Sequence, residues 1–204
     1  MADTIDSRMK HLRSRTPQNV KAGLAPDQQS VDLEPLTKPW AEFSAPLGSY
    51  FITGNQEQFF SPSRYLDAVR QSGIQVLENE KIVLNGLQIV GVHDRDSANV
   101  ERFRSILRQA EVDRSVASIL LVHNPHRLPI AEEAGISLQV SGHTHGGQFP
   151  PGSWVAKRVY GEFVHGLHRL GKLLVFTNWG AGTWGPPLRV GTSAEIVLIT
   201  FEPA

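Results

Sequence analysis

The chain has 204 residues, enough for one domain with a sizeable buried core and short for two. Twenty Lys and Arg stand against twenty Asp and Glu, so the net charge is zero and no long-range field draws the chain to nucleic acid or to an anionic membrane. The absence of cysteine excludes disulfides, thiolate catalysis and Cys-based zinc sites, leaving histidine, carboxylate and amide as the good metal ligands.

No run approaches the roughly 18 apolar residues of a membrane-spanning helix, and the N-terminus lacks an apolar signal-peptide core. The chain therefore reads as soluble, with no transmembrane segment and a cytoplasmic location expected. Residues 1–30 are polar, with only a brief Ile5, Met9, Leu12 spacing, and read as a mobile or loosely docked arm before a domain over 31–204. Leu33, Leu36, Trp40 and Phe43 recur at roughly helical spacing, but Pro35 and Pro39 make that helix short or broken.

From residue 50 strands and helices alternate. A strand over 50–53 is followed by a helix over 63–72, capped by Ser61 or Ser63 and stopped by Gly73. Short strands follow over 75–77, 82–84 and 87–92, the last two joined by the hairpin dipeptide Asn85-Gly86. Residues 98–110 read as one helix with Val100, Phe103, Ile106 and Leu107 on a common face. The continuous apolar run 118–122 reads as a central strand, 128–134 as a helix ended by Gly135, and 138–140 as a further strand. Residues 148–160 read as a loop on the substrate side, and 172–176 and 194–200 as strands. Mixed strands, a hairpin and covering helices give a layered α/β sandwich.

The strand at Leu138-Gln139-Val140 runs straight into Ser141-Gly142-His143-Thr144-His145-Gly146-Gly147-Gln148. On an extended segment His143 and His145 point the same way and diverge, which suits two neighbouring metal ions better than one. For this pair alone, ordinary loop histidines are an equally good reading. Two further apolar runs end in metal-competent groups: Tyr50-Phe51-Ile52 before Thr53-Gly54-Asn55-Gln56-Glu57, and Ile119-Leu120-Leu121 before Val122-His123-Asn124-Pro125-His126. Three strand ends meeting at one edge of an α/β sheet lie where such folds place their sites.

These motifs, with Ala45-Pro46-Leu47-Gly48 and Gly182-Thr183-Trp184-Gly185-Pro186-Pro187-Leu188-Arg189, resemble the calcineurin-like metallophosphoesterases over residues 31–202. The likeness is to the bacterial single-domain branch, whose members often carry a membrane anchor. It implies an α/β/β/α sandwich, a phosphoester substrate and one or two divalent transition ions, manganese, iron or zinc. It assigns Asn55, His123 and His143 to one metal and His145 to the other.

Two departures qualify the resemblance. The family's upstream Asp-x-His and Gly-Asp-x-x-Asp segments have no counterpart in the sequence, so the domain is expected to be N-terminally truncated and to bind one ion weakly at most. Gln56 stands at the catalytic position where the family carries histidine; glutamine donates a hydrogen bond but carries no proton, and losing a positioned acid removes about 10² to 10⁴ in rate. Glu57 matches the usual acidic neighbour and reads equally as a structural carboxylate. His93-Asp94, a further local candidate after the strand over 87–92, reads as a loop histidine beside a cap carboxylate, His126, His165 and His168 as loop or surface residues, and Trp179 and Trp184 as core and loop packing.

Three readings stand: an impaired metal-dependent phosphoester hydrolase, a non-catalytic metal- or phosphate-binding remnant, and the C-terminal piece of a split phosphoesterase needing a complementing N-terminal segment. No nucleic-acid partner is expected, and the phosphoester itself is not specified by any residue.

Overall fold

The computed structural model describes residues 37–42, 45–58 and 62–202. The polar arm over 1–30, Leu33, Leu36, Phe43 and the Ser61 cap lie outside the described residues. Within them the elements are β1 (Tyr50–Phe51), α1 (Pro62–Gln71), β2 (Gln75–Val76), β3 (Glu80–Leu84), β4 (Leu87–Gly91), α2 (Asp94–Ala98), α3 (Val100–Gln109), β5 (Ser118–Leu121), α4 (Leu128–Ala134), β6 (Leu138–Ser141), α5 (Gly152–Tyr160), β7 (Gly166–Leu170) and β8 (Leu173–Thr177). The fold is mixed α/β, as expected from the alternation of apolar runs and amphipathic segments.

One mixed sheet of six strands runs in the order β3-β4-β5-β6-β8-β7, and β1 pairs with β2 in a separate parallel pair. Strands β4, β5, β6 and β8 are mutually parallel, while the outer β3 and β7 are antiparallel to their neighbours. The hairpin between β3 and β4 forms on Asn85 and Gly86, with φ of 50° and 86°, the pair of positive values that matches the twist of the flanking strands.

Period-two alternation sends the central strands' side chains to two cores. Val90, Leu120, Val122, Leu173 and Val175 pack on one face with Phe103, Ile106 and Leu107 of α3 and Ile130 and Ala131 of α4. Ile119, Leu138, Val140, Leu174 and Phe176 point to the other, where Val197 and Ile199 cover them. All five residues of β8 are buried, as a central parallel strand requires. A smaller cluster joins Leu66, Val69 and Val76 to Trp40, Phe51 and Tyr65.

Several expectations need correction. The helix expected over 98–110 is two helices, because Asn99 takes an extended conformation and its side chain accepts the Arg102 N–H at 2.9 Å, capping α3. The loop expected over 148–160 contains α5, whose Ala156 packs inward while Pro151 precedes its first turn. Strand β7 went unpredicted, since its alternation carries histidine and arginine as well as leucine.

The strand expected over 50–53 is only Tyr50–Phe51, half-buried and paired with β2 rather than interior to the large sheet. Segment 194–200 alternates in burial as a strand does, with Val197 and Ile199 inward and Ile196 and Leu198 exposed, but no ladder partner stands beside it among the described residues. The helix expected around Trp40 is, in its described part, a 3₁₀ turn over Lys38–Glu42.

Candidate functional site

Because β4, β5, β6 and β8 are parallel, their C-terminal ends open on the same edge of the sheet. Each end delivers a polar segment there: His93-Asp94 after β4, His123-Asn124 after β5, Gly142-His143 after β6 and Asn178-Trp179 after β8. The loop after β1 reaches the same place, for the Asp94 N–H donates to Thr53 Oγ1 at 3.1 Å and Asn55 follows two residues later.

The tightest convergence is on one atom. His123 Nε2 lies 2.8 Å from Asn55 Oδ1 and 3.0 Å from His143 Nδ1. The His123 and His143 rings meet edge to face with centroids 4.9 Å apart. A ring nitrogen holds one proton or one lone pair, so His123 Nε2 either shares a single proton between Asn55 Oδ1 and His143 Nδ1, or accepts from His143 and leaves the Asn55 oxygen without a donor from that ring. Gly54 makes the approach possible, since a Cβ there would lie 2.9 Å from the His123 ring.

Electrostatics hold the cluster neutral. Burial pushes the His123 imidazole down to about 4, with the neighbouring His143, His145 and His126 acting in the same direction. His143 is lowered by burial while the Asp94 charge opposes the shift, and His145 is lowered by burial and by the Arg189 guanidinium. Neutral imidazoles are the form that binds metal.

The two histidines of the Gly-rich motif are not on an extended segment, contrary to expectation. His143 has φ of 66° and His145 of 47°, both in the left-handed region, and Thr144 between them is helical and opens the turn His145–Gly147. Two departures of this kind one residue apart, both in non-glycine residues, are the sort of backbone strain that collects at functional sites. The turn, rather than strand alternation, separates the rings: His143 faces His123, whereas His145 Nδ1 faces Arg189 Nη2 at 3.3 Å. Arg189 also donates to the carbonyls of Trp179, Gly180 and Gly182, so it ties the β8 loop to the histidine turn.

The other candidates fall into place around this centre. Gln56 begins the 3₁₀ turn Gln56–Gln58 and is exposed. The Glu57 carboxylate accepts the Gly54 N–H at 2.6 Å, which is the structural role. His93 caps α2 by accepting the Arg95 N–H, and His126 Nε2 contacts the Ser97 carbonyl at 2.8 Å. His165 stacks on Trp179 and pairs with Glu195 at 3.0 Å, and His168 faces the His165 carbonyl, so neither joins the centre. Trp184 is exposed rather than packed.

Three side chains stand at the centre in roles the sequence does not assign to them. Asp94 is a buried acid that His143 senses, Arg189 fixes His145, and Tyr160 of α5 accepts from Asn124 Nδ2 while its ring stands 6.3 Å from that of His143. Arg189 closes the stretch 182–189 of the family resemblance, yet nothing local in the sequence ties its side chain to His145.

The donor set can be tested against a divalent ion by its own distances. Nitrogen and oxygen donors bind transition ions at about 2.0–2.2 Å, which places adjacent donors about 3 Å from one another. Asn55 Oδ1 and His143 Nδ1 stand at that spacing from His123 Nε2, so these three neutral donors fit part of one ion's shell. Asn124 Oδ1 is a further buried acceptor with no partner among the described residues. Carboxylates are the missing chemistry: among the described residues no group of three or more His, Cys, Asp or Glu side chains is placed to hold a metal ion.

The chain is 33% identical over 180 residues to an uncharacterized metallophosphoesterase of Campylobacter jejuni, which covers 86% of this chain and 48% of that protein. It is 32% identical over 192 residues to an uncharacterized metallophosphoesterase of Aquifex aeolicus, covering 90% of this chain and 72% of that protein. A transmembrane protein with metallophosphoesterase domain of Danio rerio is 27% identical over 196 residues, 87% of this chain and 44% of its own length. The chain thus spans about half the length of the Campylobacter and Danio relatives. It matches no family model and no solved structure. Among the described residues no helix is long and apolar enough to cross a membrane. With the Aquifex relative matched over most of both chains, and with the ordered strand-end motifs on one sheet edge, the chain belongs to the metallophosphoesterase family.

Proposed function

We propose that residues 31–204 form a metal-dependent phosphoester hydrolase domain in which Asn55, His123 and His143 hold one divalent transition ion and His145 serves a second position. Manganese, iron and zinc suit imidazole and amide donors better than magnesium does. The observation that carries the reading is the convergence of Asn55 Oδ1 and His143 Nδ1 on His123 Nε2 at the spacing of donors around one ion. An ion held there would activate water and neutralise phosphate oxygens.

The chain's own residues have separable tasks. Burial keeps His123 neutral and ready as a ligand. Arg189 orients His145 and contributes a positive charge beside it. Gln56, in the acid's place, offers a hydrogen bond to a leaving oxygen but no proton, so turnover by this chain alone is slow.

A second reading is a metal- or phosphate-binding domain without turnover. Two observations favour it: among the described residues no three His, Cys, Asp or Glu side chains are grouped to hold an ion, and His145 is engaged with Arg189. The third reading, the C-terminal piece of a split phosphoesterase, needs a complementing segment that supplies the carboxylates.

The deciding experiment is elemental analysis of the purified chain alongside hydrolysis of an aryl phosphate with added manganese. Under the first reading about one ion is bound and His143→Ala abolishes both uptake and turnover. Uptake without turnover selects the second reading. Metal content unchanged by His143→Ala removes the assignment altogether.

A further inference from the structure

The rim beside the site is apolar. In α5, Trp154, Val155 and Val159 are 72%, 60% and 65% exposed, while Ala156 is buried and Tyr160 turns toward Asn124. The helix therefore has one face on the site and the other, unpartnered, in solvent.

A second exposed apolar group stands on the loop after β8, at Trp184, Leu188 and Val190. Gln148 fastens this loop to the connection that leads into α5. Its side chain accepts the Trp184 N–H at 2.6 Å and donates to the carbonyls of Trp184 and Pro186 at 2.9 and 3.1 Å, and its own carbonyl accepts the Val190 N–H at 2.8 Å. Gln148 is buried, so the loop and the start of α5 are held as one piece.

Charge is also unevenly placed. The chain as a whole is neutral, but the helix α5 carries Lys157 and Arg158, and the first acid after them is Glu162, while Arg189 on the loop after β8 has Glu195 for its counter-charge. Glu162 faces His168 Nδ1 at 3.6 Å. Within α5 itself Lys157 and Arg158 are exposed beside the apolar side chains, and no acidic residue is present.

Tryptophan and valine on the outward face of a helix, with basic residues interleaved and acids absent, is the composition that settles into the headgroup region of an anionic bilayer. The aromatic ring sits at headgroup level, and the Lys and Arg stems lie along the apolar side chains while their charges reach lipid phosphates. We propose that α5, together with the loop carrying Trp184 and Leu188, is a peripheral docking surface for an anionic lipid bilayer, set so that the sheet edge bearing His143 lies next to the membrane. The inference stands on exposure and charge and does not depend on the catalytic reading.

The test is co-sedimentation of the full chain with vesicles of phosphatidylcholine containing phosphatidylglycerol, and with phosphatidylcholine alone. The chain is expected to sediment with the anionic vesicles and to be released by high salt. Lys157→Glu with Arg158→Glu, and separately Trp154→Ser with Val159→Ser, should each weaken partitioning by at least about tenfold, while Val83→Ser on exposed β3 leaves it unchanged. All substituted side chains are exposed, so the melting profile serves as the folding control, and should a double variant fail that control, the salt and lipid-charge dependence of the unaltered chain still decides. No sedimentation with anionic vesicles, equal sedimentation with neutral ones, or full binding by folded double variants overturns the proposal. A lipid-free dimer that Trp154→Ser with Val159→Ser dissolves also overturns it and assigns the face to a second copy.

Discussion

At the scale of single residues, the centre depends on how closely a backbone passes an imidazole. Gly54 has no unusual φ that demands glycine; what demands it is the His123 ring, 2.9 Å from where a Cβ would stand, with the Glu57 carboxylate 3.1 Å away on the same side. Neither neighbour is free to retreat, because the ring is held by Asn55 and His143 and the carboxylate by the Gly54 N–H. Gly54→Ala should therefore cost about 1–3 kcal/mol in overpacking and displace His123 from its partners. Denaturant melts and manganese uptake, measured together, check it: a variant with unchanged stability and unchanged uptake would show that the loop relaxes without disturbing the ring.

At the scale of elements, the junction between α2 and α3 shows how one side chain divides what apolar spacing joins. Val100, Phe103, Ile106 and Leu107 share a face, and the pattern extends back to Ala98 without interruption. Asn99 nevertheless leaves the helical region, and its side-chain oxygen satisfies the Arg102 N–H that would otherwise lack a partner in the first turn of α3. Asn99→Ala should lower stability by about 1 kcal/mol. Asn99→Asp, which keeps an accepting oxygen, should recover most of that loss in the same urea melt; equal losses for both would mean that the exposed cap contributes through something other than this hydrogen bond.

Across the whole molecule, pH sensitivity follows from the buried histidines. In the metal-free chain His123 stays neutral down to about 4, against an ordinary value of 6.5, and His143 and His145 are shifted in the same direction. Below pH 6.5 the unfolded chain takes up protons that the folded chain refuses. Stability present in full above that value is therefore lost as pH falls toward about 4. Urea midpoints at neutral pH and near pH 5 measure the effect, which His123→Gln should reduce; a midpoint that does not fall between the two would mean that the site opens to water more readily than its burial implies.

The sequence by itself determined the local chemistry. Asn85-Gly86 fixed a hairpin through its tolerance of positive φ, Gly135 ended α4 for the same reason, and an unbroken apolar run marked β5 as an interior strand. The family resemblance also grouped Asn55, His123 and His143, and the fold brings them together although β1, which leads to Asn55, lies outside the large sheet. Only the tertiary structure decided which partners those side chains took. That His145 turns to Arg189, that the charge of buried Asp94 bears on His143, and that 194–200 lies on the sheet without a ladder partner among the described residues all depend on residues distant in sequence. Local pattern encodes period and propensity, and neither specifies which remote group will fill the remaining volume or satisfy the remaining hydrogen bond. The neutral whole-chain charge hid the basic, apolar rim for the same reason: a sum over the sequence carries no positions, and the rim exists only where the fold brings α5 and the loop after β8 to one side of the site.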